Sequence, residues 1–165
     1  MTSAVSFLAI DPGNEQSALI ELDDYPRPVP GLPFGKYSNE TARQKLNAAR
    51  FRANPPTHLA IEMIAHMGMP AGRELFETAM WVGRFVECWG GPFTLVYRNE
   101  VKLHICGTGR AKDSNIRQAL IDRYGGDRAI GNKKTPGPLY LVSGDVWQAL
   151  AVGVTWFETR RAEAA

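Results

Sequence analysis

The stretch "FLAIDPGNEQSALIEL", residues 7–22, decides the fold that we predict for this chain. Its first apolar residues are typical of a buried strand, and they run directly into Asp11, Pro12 and Gly13. The proline and glycine indicate a turn, after which residues 16–22 have the pattern of a second strand. A carboxylate that ends a buried strand is costly unless it is paired or binds a cation. Asp11 therefore either caps the turn or performs chemistry at the strand end.

The rest of the chain alternates between strand and helix patterns. A weaker strand is predicted near Phe34–Tyr37, and others over 57–62 and 93–97. Helices are predicted after an Asn39 cap to about Ala53, over 73–89, from Asn99, after a cap at Ser114 or Asp113, and after a Ser143 cap. Residues 125–142 are rich in glycine and proline, which predicts a mobile basic loop. This order predicts an α/β fold with a mixed five-stranded sheet flanked by helices, in a single domain over residues 1–165.

The composition is that of an ordinary globular domain, with 165 residues of which 44% are hydrophobic and 22% charged. No apolar run reaches the length of a membrane span and no basic segment precedes the first strand, so we expect a cytoplasmic protein without a membrane partner. Cys88 and Cys106 form no CxxC motif and predict no disulfide framework. The chain has no Walker loop, so no nucleotide cofactor is expected.

The net charge of +2 is too small to indicate a nucleic-acid partner by itself, but the basic residues are clustered. The clusters are Arg43, Lys45, Arg50 and Arg52; Arg98, Lys102, Arg110 and Lys112; and Arg128, Lys133 and Lys134. Such clusters can follow the phosphates of a nucleic acid, although each one alone is also typical of a solvated helix face.

Three carboxylates are distinguished by their positions. Asp11 and Glu62 each end a predicted buried strand, and Asp145 falls in the first turn of the last predicted helix. If the two strands are neighbours, the repulsion between their carboxylates is removed by a divalent cation, and hard oxygen ligands suit Mg²⁺ or Mn²⁺. Two such ions can clamp the attacking and leaving oxygens of a phosphodiester. The alternative from spacing alone is three unrelated surface turns.

Four blocks of sequence, in order, resemble the RuvC-type Holliday-junction resolvases: "LAIDPGNEQSALIEL", "HLAIEMI", "RNEVKLHICGTGRAKDSNIRQAL" and "GDVWQALAVGVTW". The resemblance covers about residues 5 to 157. It implies a ribonuclease-H-like fold and a homodimer that resolves four-way DNA junctions by paired, Mg²⁺- or Mn²⁺-dependent nicks that leave 5′-phosphates. Asp11, Glu62 and Asp145 then become metal ligands, and Lys102 matches a family lysine that faces the scissile DNA. Lys112 lies one place from a second family lysine.

The sequence also departs from the family pattern, which fits a divergent, phage-type member. Gln148 stands where the family usually has a second acid in the last helix, so it offers an amide oxygen without a charge. Ala65 stands in the place of the family's aromatic wedge, and Met67 and Met69 in the following loop are candidate wedges or core methionines. Further candidate DNA contacts are Arg110, Lys133 and Lys134.

Alternatives to a junction resolvase follow from the same features. Gln148 would also suit a non-cleaving module that binds branched DNA, and a further alternative is an RNA-processing nuclease of the same fold. An ATPase of the actin and sugar-kinase type opens with a similar strand, but it needs two such domains. The helix that carries Met80, Trp81 and Phe85 has more large apolar residues than one face requires, which suits a dimer interface or a wide core face.

Overall fold

The computed structural model describes residues 5–32, 34–65, 68 and 70–164. The strands are β1 (Ser6–Asp11), β2 (Gln16–Asp23), β3 (Gly35–Ser38), β4 (Leu59–Met63) and β5 (Phe93–Tyr97). The helices are α1 (Asn39–Arg50), α2 (Arg73–Trp89), α3 (Arg98–Cys106), α4 (Asp113–Arg123), α5 (Asp127–Ile130) and α6 (Val146–Ala164).

The strands form a five-stranded sheet in the order β3-β2-β1-β4-β5. β1 pairs antiparallel with β2, and β2 pairs antiparallel with β3, whereas β1–β4 and β4–β5 are parallel. The predicted mixed five-stranded sheet is therefore confirmed, and the first and fourth strands are neighbours. Parallel pairing places the carboxyl ends of β1, β4 and β5 at one edge of the sheet.

Side chains alternate between two cores because successive residues of a strand point to opposite faces. Leu8 and Ile10 of β1 pack on one side with α1 and α2 residues such as Leu46 and Phe85. The intervening residues of β1, with Ala60 of β4, pack on the other side with α3, α4 and α6. Both faces of β1 and β4 are thus covered, which explains their nearly uninterrupted apolar sequences.

Helix α6 lies close against the sheet at Gly153. A Cβ atom at Gly153 would stand 2.4 Å from Leu22 Cδ1 and 3.1 Å from Ala9 Cβ, so a larger side chain would push the helix outward. The close approach keeps the N-terminal end of α6 near the carboxyl ends of β1 and β4. Among the residues described, no helix is long and apolar enough to cross a membrane.

The predicted caps of three helices are wrong by one or two residues, and for α4 the cap is Lys112 instead of Asp113 or Ser114. Ser38, and not Asn39, caps α1, since its Oγ accepts a hydrogen bond from Thr41 N at 3.2 Å. Helix α6 begins at Val146, so Asp145 precedes the helix instead of lying in its first turn. Gly144 has a left-handed φ of 51°, which interrupts any helical turn that would start at Ser143.

The region 125–142 is more structured than the loop that its composition predicts. It contains α5 and a bridge between Gly131 and Pro136, and Ala129 and Leu139 are almost completely buried in the α6-side core. Leu139 N also donates to Ala129 O at 2.8 Å. Two apolar side chains anchor the segment, while Lys133 and Lys134 remain exposed at its tip.

His58, just before β4, should make stability pH-dependent. Its Nε2 is 2.9 Å from Thr94 Oγ1 and its ring stacks on Trp156, with the centroids 4.3 Å apart. Burial, assisted by the charge of Arg160, lowers the pKa of His58 to about 4. Because the unfolded chain has the higher pKa, stability is retained above about pH 6.5 and lost as the pH falls to about 4.

We expect wild-type protein to lose up to about 3 kcal/mol through His58 over this interval, and a His58→Gln variant to lose correspondingly less. Urea unfolding at pH 7, 5.5 and 4 measures both. The comparison uses the change with pH, so a constant loss of stacking energy in the variant does not affect it. If the free energy of unfolding changed with pH equally in the two proteins, the lowered pKa of His58 would be contradicted.

Candidate active site

Asp11 and Glu62 lie on the same face and at the same edge of the sheet. The register of β1 and β4 includes Ala9 opposite Ala60 and Ile10 opposite Ile61, and Asp11 and Glu62 are the next residues on the two strands. Both acids share the face of Ala9 and Ala60 because each is two residues further along its strand. Glu62 is only 7% exposed. The fold thus brings together two carboxylates that are 51 residues apart in the sequence.

The turn after Asp11 is held by a buried polar network. Asn39, 2% exposed, donates from Nδ2 to Gly13 O at 2.8 Å and accepts from Ser17 Oγ at 2.6 Å. Gly13 N in turn donates to Ser17 Oγ at 3.2 Å. A Cβ atom at Gly13 would be 2.4 Å from Gln16 O, so the turn requires glycine. The network fixes the backbone that presents Asp11, and it explains why Asn39 is not the helix cap.

The acidic cluster, which comprises Asp11, Glu62, Asp113 and Asp145, is coupled electrostatically. Burial and then the charge of Glu62 raise the pKa of Asp11 to about 8, and Asp145 and Asp113 add to the shift. Burial also raises the pKa of Glu62. Asp11 is thus coupled through space to both of the other predicted acids, as a single site requires.

Asp145 occupies the more open side of the cluster. Its side chain is 49% exposed and forms a 2.6 Å ion pair with Lys36 Nζ of β3. This hydrogen bond and charge raise the pKa of Lys36 above its usual value. Nothing in the sequence pattern around Lys36 points to the site, because the contact depends on the pairing of β3 with β2.

Arg98 is a site residue that the sequence interpretation placed only in a basic cluster. It directly follows β5, and its Nη1 donates to Gln148 Oε1 at 2.6 Å and to Glu62 Oε2 at 3.3 Å. Its Nη2 donates to Asp113 Oδ1 at the start of α4. The Arg98 charge lowers the pKa of both Asp11 and Glu62, against the effect of burial. The feature of the sequence that could have placed Arg98 in the site is its position directly after β5, a strand parallel to β4.

The predicted DNA contacts lie at different distances from the cluster. Lys102 of α3 is partly buried, and its charge lowers the pKa of Glu62, so it lies within range of the site. Arg110 and Lys112 are exposed in the loop between α3 and α4, and their roles stay predictions. The same holds for Lys133 and Lys134. Met67 and Met69 lie outside the residues that the structure describes.

The donor set suits a hard divalent cation in type. Carboxylate oxygens of the acidic cluster and the amide oxygen of Gln148 are ligands that Mg²⁺ and Mn²⁺ accept, and a cation would relieve the repulsion that raises the pKa of Asp11. Within residues 5–32, 34–65, 68 and 70–164, however, no three His, Cys, Asp or Glu side chains are arranged to hold a metal ion. Glu62, Gln148 and Asp113 instead accept hydrogen bonds from Arg98, which is itself a cation.

The topology and the chain course are those of a ribonuclease-H-like fold. Thermus thermophilus RuvC has a similar structure, with a TM-score of 0.62 and 17% sequence identity over 96% of this chain and 97% of that chain. For T. thermophilus RuvC in complex with a Holliday junction substrate, the TM-score is 0.64 and the identity 18%, over 96% of each chain. No protein-family model matches the sequence. No curated protein matches it either. The resemblance to RuvC that the motifs predict is thus confirmed for the fold.

Proposed function

We propose that this protein is a metal-dependent, structure-selective DNA endonuclease that resolves four-way junctions. The observation that carries the proposal is the juxtaposition of Asp11 and Glu62 at the carboxyl ends of β1 and β4, coupled to Asp145. The repulsion between Asp11 and Glu62 on adjacent strands opposes folding, and Asp11 has no ion pair among the described residues, so their convergence favours a cation-binding role. The similar RuvC structure that is bound to a Holliday junction substrate supports the substrate class.

The roles of the chain's own residues follow from their placement. Bound Mg²⁺ or Mn²⁺ would supply Lewis-acid activation and charge neutralisation at the phosphodiester. Asp11 and Glu62, fixed on adjacent strands, would hold the cation in a constant position, with Asp145 as the more exposed ligand. Lys102 would neutralise the phosphate backbone beside Glu62. Arg110, Lys112, Lys133 and Lys134 would contact junction arms through their exposed charges.

The first experiment is a nicking assay on a synthetic four-way junction, with linear duplex of the same sequence as control. Each substrate is incubated with protein in EDTA, Mg²⁺ or Mn²⁺. We expect paired nicks with 5′-phosphate ends on the junction, in either metal, and none in EDTA or on the duplex. Cleavage of both substrates at equal rates would overturn the structural selectivity, and equal cleavage in EDTA would overturn the metal dependence.

A second candidate is a non-cleaving module that binds branched DNA. It is favoured by Gln148, which carries no charge, and by Arg98, which donates to both Gln148 and Glu62. The same assay separates the candidates, because a binding module would shift the junction in a gel and leave it intact in both metals. Competition by structured RNA in the gel tests the RNA-processing alternative.

Two active sites would allow both nicks to be made while the junction stays bound, so we also propose a homodimer. Phe85 of α2 cannot contribute to a dimer interface, since it is completely buried in the core. Phe76 and Met80 of α2 are 65% and 54% exposed and are available for such a contact. Light scattering at micromolar protein concentration measures the oligomeric state, and a monomer would contradict the dimer.

A Lys102→Ala variant should slow junction nicking by about 10- to 100-fold, since a cation that faces charge in the transition state is removed at a partly solvated position. Junction affinity should change little, because the many other basic side chains supply most of the phosphate contacts. Single-turnover nicking and gel shifts measure the two effects. Lys45→Ala on α1 is the matched control. Equal rates for wild type and Lys102→Ala would exclude a catalytic role for Lys102.

A further inference from the structure

Arg98 is held rigidly in the middle of the candidate site. Its side chain is 27% exposed and donates to three acceptors from three separate elements, which are Glu62 of β4, Gln148 of α6 and Asp113 of α4. The backbone before it is also fixed, because Tyr97 N donates to Glu100 Oε2 at 2.7 Å. An arginine on the rim of a site would be free to turn to solvent, but this one is enclosed by its acceptors.

Gln148 and Arg98 complement each other chemically. A carboxylate at position 148 would add a fifth negative charge to the acidic cluster and would attract a further metal ion. The amide of Gln148 instead offers one neutral oxygen, which accepts a hydrogen bond from Arg98 Nη1 at 2.6 Å. A guanidinium and a divalent cation repel each other at short range, so both cannot occupy the space between Glu62 and Gln148.

We propose that Arg98 permanently supplies the positive charge among Glu62, Gln148 and Asp113 that a second metal ion would otherwise supply, so that the site binds one divalent ion. The proposal rests on the metal site of the proposed function. It assigns Arg98 as a positioning residue that orients Glu62 and Gln148 and limits the metal stoichiometry. The loss of a carboxylate at position 148 is then compensated by an arginine of the same chain.

Metal stoichiometry tests this directly, without DNA or activity. Metal-free full-length protein is titrated with Mn²⁺ in a calorimeter, and free Mn²⁺ is counted independently by electron paramagnetic resonance. We expect one ion for the wild type and one for Gln148→Asp, where the new carboxylate pairs with Arg98. The double variant Arg98→Gln/Gln148→Asp should bind two. Arg98→Lys/Gln148→Asp keeps the charge and should again bind one.

Arg123→Gln is the matched control. Arg123 lies at the opposite end of α4 from Asp113 and forms a 2.6 Å ion pair with Glu158 of α6. The control variant should bind one ion. Circular dichroism establishes whether each variant is folded. If the double variants do not fold, the number of Mn²⁺ ions bound by the wild type still tests the proposal. Two ions bound to the wild type, or none at millimolar Mn²⁺, would overturn the proposal, as would one ion in folded Arg98→Gln/Gln148→Asp.

The outcome separates this inference from the proposed function. Metal-dependent junction nicking by a wild type that binds two ions refutes the role of Arg98 and leaves the nuclease intact. One bound ion, with the expected response to the double variants but no nicking, supports the role of Arg98 and removes the nuclease.

Discussion

Asp11→Asn should abolish metal-dependent junction nicking, with a loss of about 10³-fold or more, and leave junction binding nearly unchanged. The asparagine has almost the same shape, so the buried network around Gly13 and Asn39 is preserved. What the substitution removes is the charge that a divalent cation requires at the end of β1. Single-turnover nicking in Mn²⁺ and gel shifts in EDTA measure the two quantities separately.

The matched control is Asp24→Asn, which makes the same chemical change at an exposed position just beyond β2. It should cleave like the wild type. Thermal melts of both variants confirm folding, and we expect Asp11→Asn to be no less stable than the wild type, because it removes a charge that burial disfavours. Cleavage by Asp11→Asn within tenfold of the wild-type rate would refute the assignment of the site.

Much of the site could be predicted because it follows from strand periodicity. An apolar run that ends in a carboxylate indicates both a buried strand and the edge at which the acid lies. Asp11 and Glu62 were found in this way, and their common face follows from the two-residue period of the strands. The resemblance to RuvC-type resolvases then implied a ribonuclease-H-like fold, whereas the adjacency of β1 and β4 came from the structure.

The rest of the site could not be predicted, because it depends on how elements pack. The contact of Lys36 with Asp145 requires the register of β3 on β2, and the contact of Arg98 with Gln148 requires the position of α6 on the sheet. Arginine and lysine have long flexible side chains, so sequence spacing does not tell where their charged groups lie. For the same reason Arg98 was interpreted as one member of a basic cluster.

Local composition was misleading where tertiary contacts override it. The glycines and prolines of residues 125–142 indicate a loop correctly in most positions, but Leu139 and Ala129 anchor it in the core. Asn39 is a good capping residue by type, yet the neighbouring Ser38 takes that role while Asn39 is buried beneath the turn after Asp11. In both cases burial of a side chain gains more than the local preference would.

The second large effect that we expect is on stability, from Glu21→Ala in β2. Glu21 is 3% exposed and accepts from Ser6 Oγ and from Arg52 Nη2, each at 2.7 Å. Arg52 lies just beyond α1, so this pair ties the end of the helix to the sheet. The substitution leaves Arg52 mostly buried without its carboxylate, which should cost about 3–5 kcal/mol of the free energy of unfolding.

For a chain of this size such a loss lowers Tm by roughly 6–20 °C. Glu40→Ala is the matched control, because Glu40 also pairs with an arginine, Arg43, at 2.6 Å, but the two side chains are 48% and 39% exposed. It should cost much less than Glu21→Ala, because an ion pair in contact with solvent contributes little to stability. Urea unfolding and thermal melts measure both variants. Because the Glu21 pair lies outside the acidic cluster, Glu21→Ala should retain Mn²⁺ binding at temperatures where it is folded. Equal losses in the two variants would mean that burial does not strengthen the Glu21–Arg52 pair, and that α1 is held to the sheet by its apolar face alone.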